Sequence, residues 1–221
     1  MEIDSLVKRI NMLTRYRYDK SDLEEAVRVL RMGGVIVYPT DTVWGIGCDA
    51  TNEEAVRKVY ALKRREDCKS MLVLLDAPGK LQGYVEEVPE IAWELLECSA
   101  PLQLPLQRGR EYTEHIRPLT IIYPRGKNLA KNLIAEDGSV GIRITQEPFS
   151  KALCERLRRP IVSTSANISG EPAAKTFRQI SEEVLQHADY VCLFRRDDEE
   201  EKQPSSIIKL GLHNEIQIIR S

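Results

Sequence analysis

Three separated stretches concentrate the residues that can do chemistry. Residues 63–69 put four cations, Lys63, Arg64, Arg65 and Lys69, into seven positions. Arginine presents a planar fork and lysine a compact point charge, and together they suit a polyanion such as a nucleoside triphosphate. The competing reading is a solvated helix end whose cations complement the C-terminal dipole. Residues 163–170 hold Ser163, Thr164, Ser165, Asn167, Ser169 and Gly170. That is either a capping loop or a hydrogen-bonding pocket for phosphate or a carbonyl. Thr40, Asp41 and Thr42 follow a short apolar run and precede Gly45 and Gly47. They read as an ordinary turn, or as a strand exit of the kind that lines ligand crevices in α/β sheets. Arg143 interrupts an alternating segment, so it either faces solvent or needs an anion partner.

Several chemistries are excluded by pattern. No G-x-x-x-x-G-K-[ST] loop and no G-x-S-x-G elbow occurs, and no histidine adjoins the serines, which argues against acyl-enzyme hydrolysis. No strong covalent nucleophile stands out. The five cysteines (48, 68, 98, 154, 192) lack a C-x-x-C pair, and His115, His187 and His213 are scattered, so neither a disulfide framework nor a structural metal is expected. The net charge of -2 confines any nucleic-acid contact to a local patch. With 42% hydrophobic and 30% charged residues over 221 positions, one domain with a sizeable core is expected. The absence of a long apolar run and of a signal-peptide pattern leads us to expect a soluble cytoplasmic protein.

The elements that must carry these residues follow from periodicity. Residues 1–18 read as an amphipathic arm or helix, and 19–221 as the domain. A helix over 22–32 is expected, with Ser21 as N-cap, Glu24 completing a capping box, and Gly33 and Gly34 ending it. Residues 35–38 form a strand buried on both faces, with Gly45 and Gly47 in the following turn letting the backbone pass close to something. Asn52 caps a helix over 53–63, and 71–75 is a buried strand. Helices are expected at 89–98, 130–135 and 149–158, and strands at 119–123, 139–144 and 160–162. Thr176 is expected to cap a helix from Phe177 to Gln186. A strand over 190–194 and a hairpin of 206–210 with 215–220 close the chain, while 99–118 read as irregular. Strands interspersed with helices make this an α/β domain with a mixed sheet.

Assembled in order, these stretches resemble the YrdC-type threonylcarbamoyl-AMP synthase family in its short form. The likeness covers about residues 22–220. It rests on 34–49 (with Thr40, Asp41, Thr42, Gly45 and Gly47), on Lys63, Arg65, Lys69 and Ser70, on Pro118–Ile122, on Val140–Ile144 with Arg143, on Ser163–Pro172, and on Pro204–Ile208. The resemblance implies a YrdC/RibB-like fold, a twisted mixed sheet flanked by helices around a large concave basic cavity. It implies a reaction that joins L-threonine, bicarbonate and ATP into threonylcarbamoyl adenylate and pyrophosphate, with Mg2+ carried by the ATP. Partner proteins then transfer the threonylcarbamoyl group to tRNA.

By resemblance, Lys63 and Arg65 face the phosphates and the carboxylated intermediate, Lys69 extends that cationic wall, and Arg64 faces solvent. Thr40 matches the threonine-contacting position. Thr120 and Ser165 match nucleotide-contacting hydroxyls, and Arg143, Ser163 and Asn167 match pocket positions. Ser205 or Ser206 contacts the nucleotide from the last strands. The sequence departs from the family pattern at Ile116 and Arg117 before Pro118, at Ser70 after Lys69, and at Ala173, which removes one hydroxyl. The competing class is a non-catalytic module that binds double-stranded RNA or tRNA through the same cations, although aromatics for base stacking are only 6%. A weaker alternative is another ligand of the same architecture, such as a sugar phosphate.

Overall fold

The computed structural model describes residues 18–64, 71–99, 118–212 and 215–220. The expected arm over most of 1–18, Arg65, Lys69, Ser70 and nearly all of the irregular 99–118 segment lie outside these residues.

Among the described residues nine strands form one mixed sheet: β1 (Ile36–Tyr38), β2 (Gly45–Gly47), β3 (Leu72–Leu75), β4 (Leu119–Tyr123), β5 (Val140–Ile144), β6 (Ile161–Ser165), β7 (Tyr190–Val191), β8 (Ser206–Leu210) and β9 (Ile216–Arg220). Their spatial order is β7-β1-β2-β6-β3-β5-β4-β8-β9. The β1/β7, β3/β5 and β4/β8 pairs are parallel and the others antiparallel. Helices α1 (Lys20–Arg31), α2 (Glu53–Leu62), α3 (Glu90–Ser99), α4 (Pro148–Leu157) and α5 (Glu182–His187) flank it. The protein is thus a single α/β domain.

Period-two alternation sorts the strand residues between two cores. Val37, Ile46, Val73, Ile121, Ile142, Val162 and Ile208 join the larger core with Val56, Val59 and Tyr60 of α2. Their neighbours Ile36, Tyr38, Leu74 and Ile161 face the other way, against Leu23 and Leu30 of α1 and Phe149 and Leu153 of α4. Each such apolar side chain stabilises the fold by roughly 1.5–3 kcal/mol when fully buried. The second core covers only part of its sheet face. Farther along, the same face presents Ser163, Ser165, Thr120, Gly141 and Arg143, and it is open.

Local starts and stops differ from expectation where tertiary contacts compete. Asp19, not Ser21, caps α1: its carboxylate accepts the Ser21 N–H at 2.8 Å, so the helix starts two residues early. Asp22 is buried because it accepts the Tyr190 hydroxyl and the N–H groups of Leu193 and Phe194. Those bonds end β7 after Val191, where sequence pattern would extend it to 194. Gly33, at φ 74°, closes α1 as expected, with Gly34 N–H on the Val29 carbonyl and Gly33 N–H on Leu30. Asn52 caps α2 as expected. The helix expected after Thr176 is instead a single 3-10 turn (Phe177–Gln179) and α5, because Ile180 is extended and buried and Ser181 starts a new helix. Thr176 makes no side-chain cap there.

The Gly45–Gly47 segment is a strand, not merely a turn. A Cβ on Gly47 would lie 2.4 Å from the Val162 carbonyl, so the close approach is to β6. Residues 131–133 form a 3-10 turn, and β6 runs past 162 to Ser165. Cys48, Cys98, Cys154 and Cys192 are free thiols.

Candidate active site

The open part of the sheet face is the floor of a cavity of about 380 Å³. Register explains how distant residues meet there. Gly45 pairs with Ser165 and Leu72 with Ser163, while Thr120 pairs with both Arg143 and Ile207. Because paired residues share a face, β4, β5 and β6 deliver their hydroxyl and cationic side chains to one side. A broader surface depression of about 830 Å³, bordered by Lys80, Tyr84 and Arg158, holds none of the residues that the sequence singled out.

Arg143 lines the cavity and is only 3% exposed. Its strand face is therefore not simply wet, and the anion-partner alternative holds. Its Nη2 lies 3.0 Å from Asp41 Oδ1. The approach is close but poorly aligned, so Asp41 Oδ1 and Arg143 Nε both lack a hydrogen bond. Asp41 Oδ2 receives only a long contact, 3.4 Å, from the Gln146 N–H. The buried Nε–H without a partner costs free energy, while the residue as a whole lines the cavity and offers it a positive charge.

Around it stand hydroxyls. Thr120 and Ser205 are both buried, with oxygens 2.8 Å apart across β4 and β8. Arg220 closes that side, donating from Nε to the Ser205 carbonyl at 2.8 Å. Ser163, Thr164 and Ser165 supply the opposite wall. Of the two serines offered by the last strands, Ser205 lines the cavity, whereas the backbone N–H of Ser206 binds the Pro118 carbonyl at 2.9 Å and its side chain is not in the wall.

Lys63 sits at the C-cap of α2 and is 2% exposed. Its ammonium donates to the carbonyls of Ser165 at 2.5 Å and Asn167 at 2.7 Å and lies 3.4 Å from Asn167 Oδ1. Lys63 is thus turned onto the backbone of the Ser165–Asn167 loop and is not among the residues lining the cavity. Asn167 is likewise turned inward, donating Nδ2 to the carbonyls of Ile168 and Glu171. Both residues stiffen the wall from behind. Arg64, exposed as expected, pairs with Glu183 at 2.6 Å. Arg65 and Lys69 lie outside the described residues.

Thr40 is engaged within its turn. Its hydroxyl donates to the Val43 carbonyl at 2.7 Å and accepts the Thr42 N–H at 3.0 Å, so it holds its own turn together. Thr42 and Trp44, two and four residues along, form the cavity wall instead. Parity could have found Gly141, which sits between the core residues Val140 and Ile142 of β5; Trp44 and Arg220 carry no such signal, because Trp44 belongs to the core itself and Ile218 and Ile219 beside Arg220 are exposed. Burial pushes the Tyr38 phenol far above its ordinary range, and its hydroxyl binds the Val162 carbonyl behind the cavity floor, so it serves packing. Among the described residues, no group of three His, Cys, Asp or Glu side chains is placed to hold a metal ion. Nor is any described helix long and apolar enough to cross a membrane.

Comparison with known proteins bears on the family and the fold. The Sua5/YciO/YrdC family model, described as "Telomere recombination", matches residues 28–221. A threonylcarbamoyl-AMP synthase of Pseudomonas aeruginosa (strain UCBPP-PA14) is 36% identical over 151 residues, which are 68% of this chain and 73% of that protein. A protein of the same name from Pseudoalteromonas translucida is 29% identical over 173 residues, covering 78% and 85% of the two chains. The Sua5 structure from P. abyssi in complex with L-threonine superposes with a TM-score of 0.72 at 22% identity over 88% of this chain. This chain spans 52% of that archaeal chain, about half its length, and the likeness there is one of fold.

Proposed function

The chain belongs to the Sua5/YciO/YrdC family, and from that membership we propose that it makes threonylcarbamoyl-AMP and pyrophosphate from L-threonine, bicarbonate or CO2, and ATP. The synthase name shared by relatives of 29% and 36% identity supports catalysis over a non-catalytic RNA-binding module. The observation that carries the reading to this site is Arg143, a buried cation lining a cavity that it shares with Thr42, Thr120, Ser163, Ser165 and Ser205.

The threonine amine adds to the carbon of CO2, forming an N–C bond and releasing a proton, to give a carbamate. A carbamate oxygen then attacks the α-phosphorus of ATP while the bond to the bridging oxygen breaks and pyrophosphate leaves. No protein nucleophile is needed, so catalysis rests on orientation and on charge placed where it develops. Arg143 would meet the carboxylate of threonine or its carbamate. Thr42 and Ser163 would complete that subsite, and Thr120, Ser165 and Ser205 would orient the nucleotide. Arg65 and Lys69 would neutralise phosphate charge, and Lys63 and Asn167 would keep the Ser163–Ser165 wall in register. Mg2+ would enter with the triphosphate, coordinated by phosphate oxygens and water. We assign this work to residues 19–221, acting in the cytoplasm, with the adenylate passed to transferase proteins that act on tRNA and any direct RNA contact secondary.

Purified protein given L-threonine, bicarbonate and Mg-ATP should release pyrophosphate in step with threonine and form the adenylate, read by mass spectrometry. Pyrophosphate release that ignores threonine, or none at all, would sink the proposal. Thermal shifts by ATP and threonine, and none by sugar phosphates, would exclude the weaker ligand class.

A further inference from the structure

The Thr40–Trp44 turn presents its front to the cavity, and the loop that follows β7 grips its back. Arg195 begins that grip with φ 65°, a left-handed conformation uncommon for a residue with a Cβ. Its side chain, 13% exposed, places Nε and Nη2 at 3.0 and 2.7 Å from Asp198 Oδ2. The remaining arm, Nη1, donates to the Thr40 carbonyl at 3.2 Å. Asp198 therefore holds the guanidinium plane while its far edge reaches the turn. The crevice between loop and turn is small, about 10 Å³, and the Arg195–Thr40 bond crosses from one to the other.

Arg196 points the other way. It donates to the Cys192 and Val191 carbonyls, and its guanidinium carbon lies 4.9 Å from the centre of the Phe177 ring. Phe177 in turn packs on Trp44 with ring centres 5.0 Å apart. The Trp44 end of the turn is also tied to β6 by the Ala166 N–H at 2.8 Å. The Thr40 end has its hydroxyl engaged within the turn, and its carbonyl meets Arg195.

We propose that Arg195, braced by Asp198, is a positioning residue for the threonine subsite. By fixing the Thr40 carbonyl it keeps Asp41 against Arg143 and Thr42 in the cavity wall. An arginine suits this position because one planar group can bind a carboxylate along one edge and a carbonyl at another. Arg195 touches no cavity atom, so its effect reaches the substrate through the turn. The substrate named here rests on the synthase reading above.

The test uses Arg195→Ala, Arg195→Lys and Asp198→Asn in the full chain carrying Trp93→Phe, which leaves Trp44 as the reporter tryptophan. In Arg195→Ala, KM for threonine should rise by about tenfold to a hundredfold, as expected for a small misplacement of a binding group. KM for ATP should stay within about twofold, the size of a minor perturbation. Trp44 emission should shift to the red and become more open to acrylamide. Arg195→Lys should recover part of the threonine KM, since an ammonium can reach the carbonyl without the double contact to Asp198, and Asp198→Asn should fall between. Unchanged threonine KM and unchanged Trp44 emission in folded Arg195→Ala would overturn the proposal. So would an equal rise in both KM values with a lowered melting temperature, which would mark a merely structural residue. If Arg195→Ala does not fold, the Lys and Asn variants carry the same two readouts. If the parent protein makes no adenylate, the synthase reading fails, while the Trp44 measurements still decide whether Arg195 holds the turn.

Discussion

Lys63 and Arg143 are both nearly sealed from solvent, at 2% and 3% exposure, yet they use their charge in opposite ways. Among the described residues, Lys63 directs its ammonium to three oxygens of the Ser165–Asn167 loop. Arg143 has one close carboxylate, poorly aligned, and lines an open cavity while its buried Nε has no partner. A buried cation whose donors end on backbone carbonyls fixes a loop. A buried cation that lines a cavity with its pairing incomplete is suited to a ligand. Lys63 thus shapes the hydroxyl wall, and Arg143 supplies charge to what the wall encloses.

The largest expected effect tests the first half of that division. Lys63→Met leaves the Ser165 and Asn167 carbonyls without their charged donor, and should cost about 3–5 kcal/mol of unfolding free energy. Urea denaturation of the ligand-free protein measures it, and activity should fall with stability. A Lys63→Met protein with an unchanged urea midpoint but no activity would place Lys63 with the ligand and erase the distinction. The paired variant Arg143→Gln with Asp41→Asn should behave the other way. No charge is stranded, so stability should change by about 1 kcal/mol or less. Its kcat/KM for threonine should fall by roughly 10²–10³, the size seen when one preorganised donor is removed. Equal losses of stability in the two experiments would break the contrast.

Much of this arrangement is legible in sequence, and the rest is not, for identifiable reasons. The apolar runs of β1 and β4 and the Asn52 cap are local signals and stand where expected. The β2 strand contains two glycines in three residues and has no propensity of its own; it exists because β1 and β6 flank it. Ser163–Ser165 look like loop residues, yet pairing with β2 and β3 makes them a strand. The residue types of the site could be named from motifs. Which of them face the cavity could not, because Lys63 turns away through hydrogen bonds to residues whose positions only the fold supplies, and Thr40 engages its hydroxyl within its own turn. Asp19 displaces Ser21 as the cap for a similar reason: both are good caps, and the tertiary role of the neighbouring Asp22 fixes where the helix lies.

A buried anion sharpens the contrast from the other side, with the smallest effect. Glu147 caps α4 through Oε2, 2.6 Å from the Ser150 N–H, while Oε1 is buried without a hydrogen bond. Burial raises its carboxyl above the ordinary 4.5, opposed by the Ser150 N–H and by the positive charge of Arg195. In the unfolded chain the group ionises near its ordinary value, whereas the folded protein holds the proton to higher pH. The folded state therefore binds more protons between those two values, and stability falls as pH rises through that window. Glu147→Gln keeps an oxygen for the cap and removes the charge. Relative to the parent, it should gain stability above the window, and the difference should close as pH drops below the unfolded value. Urea midpoints of both proteins from pH 4 to pH 8 measure it. A pH-independent difference would mean that Arg195 and its neighbours already compensate Glu147 in full, as the carbonyls do for Lys63; a difference that grows with pH would put Glu147 with Arg143, among the buried charges whose partners are incomplete.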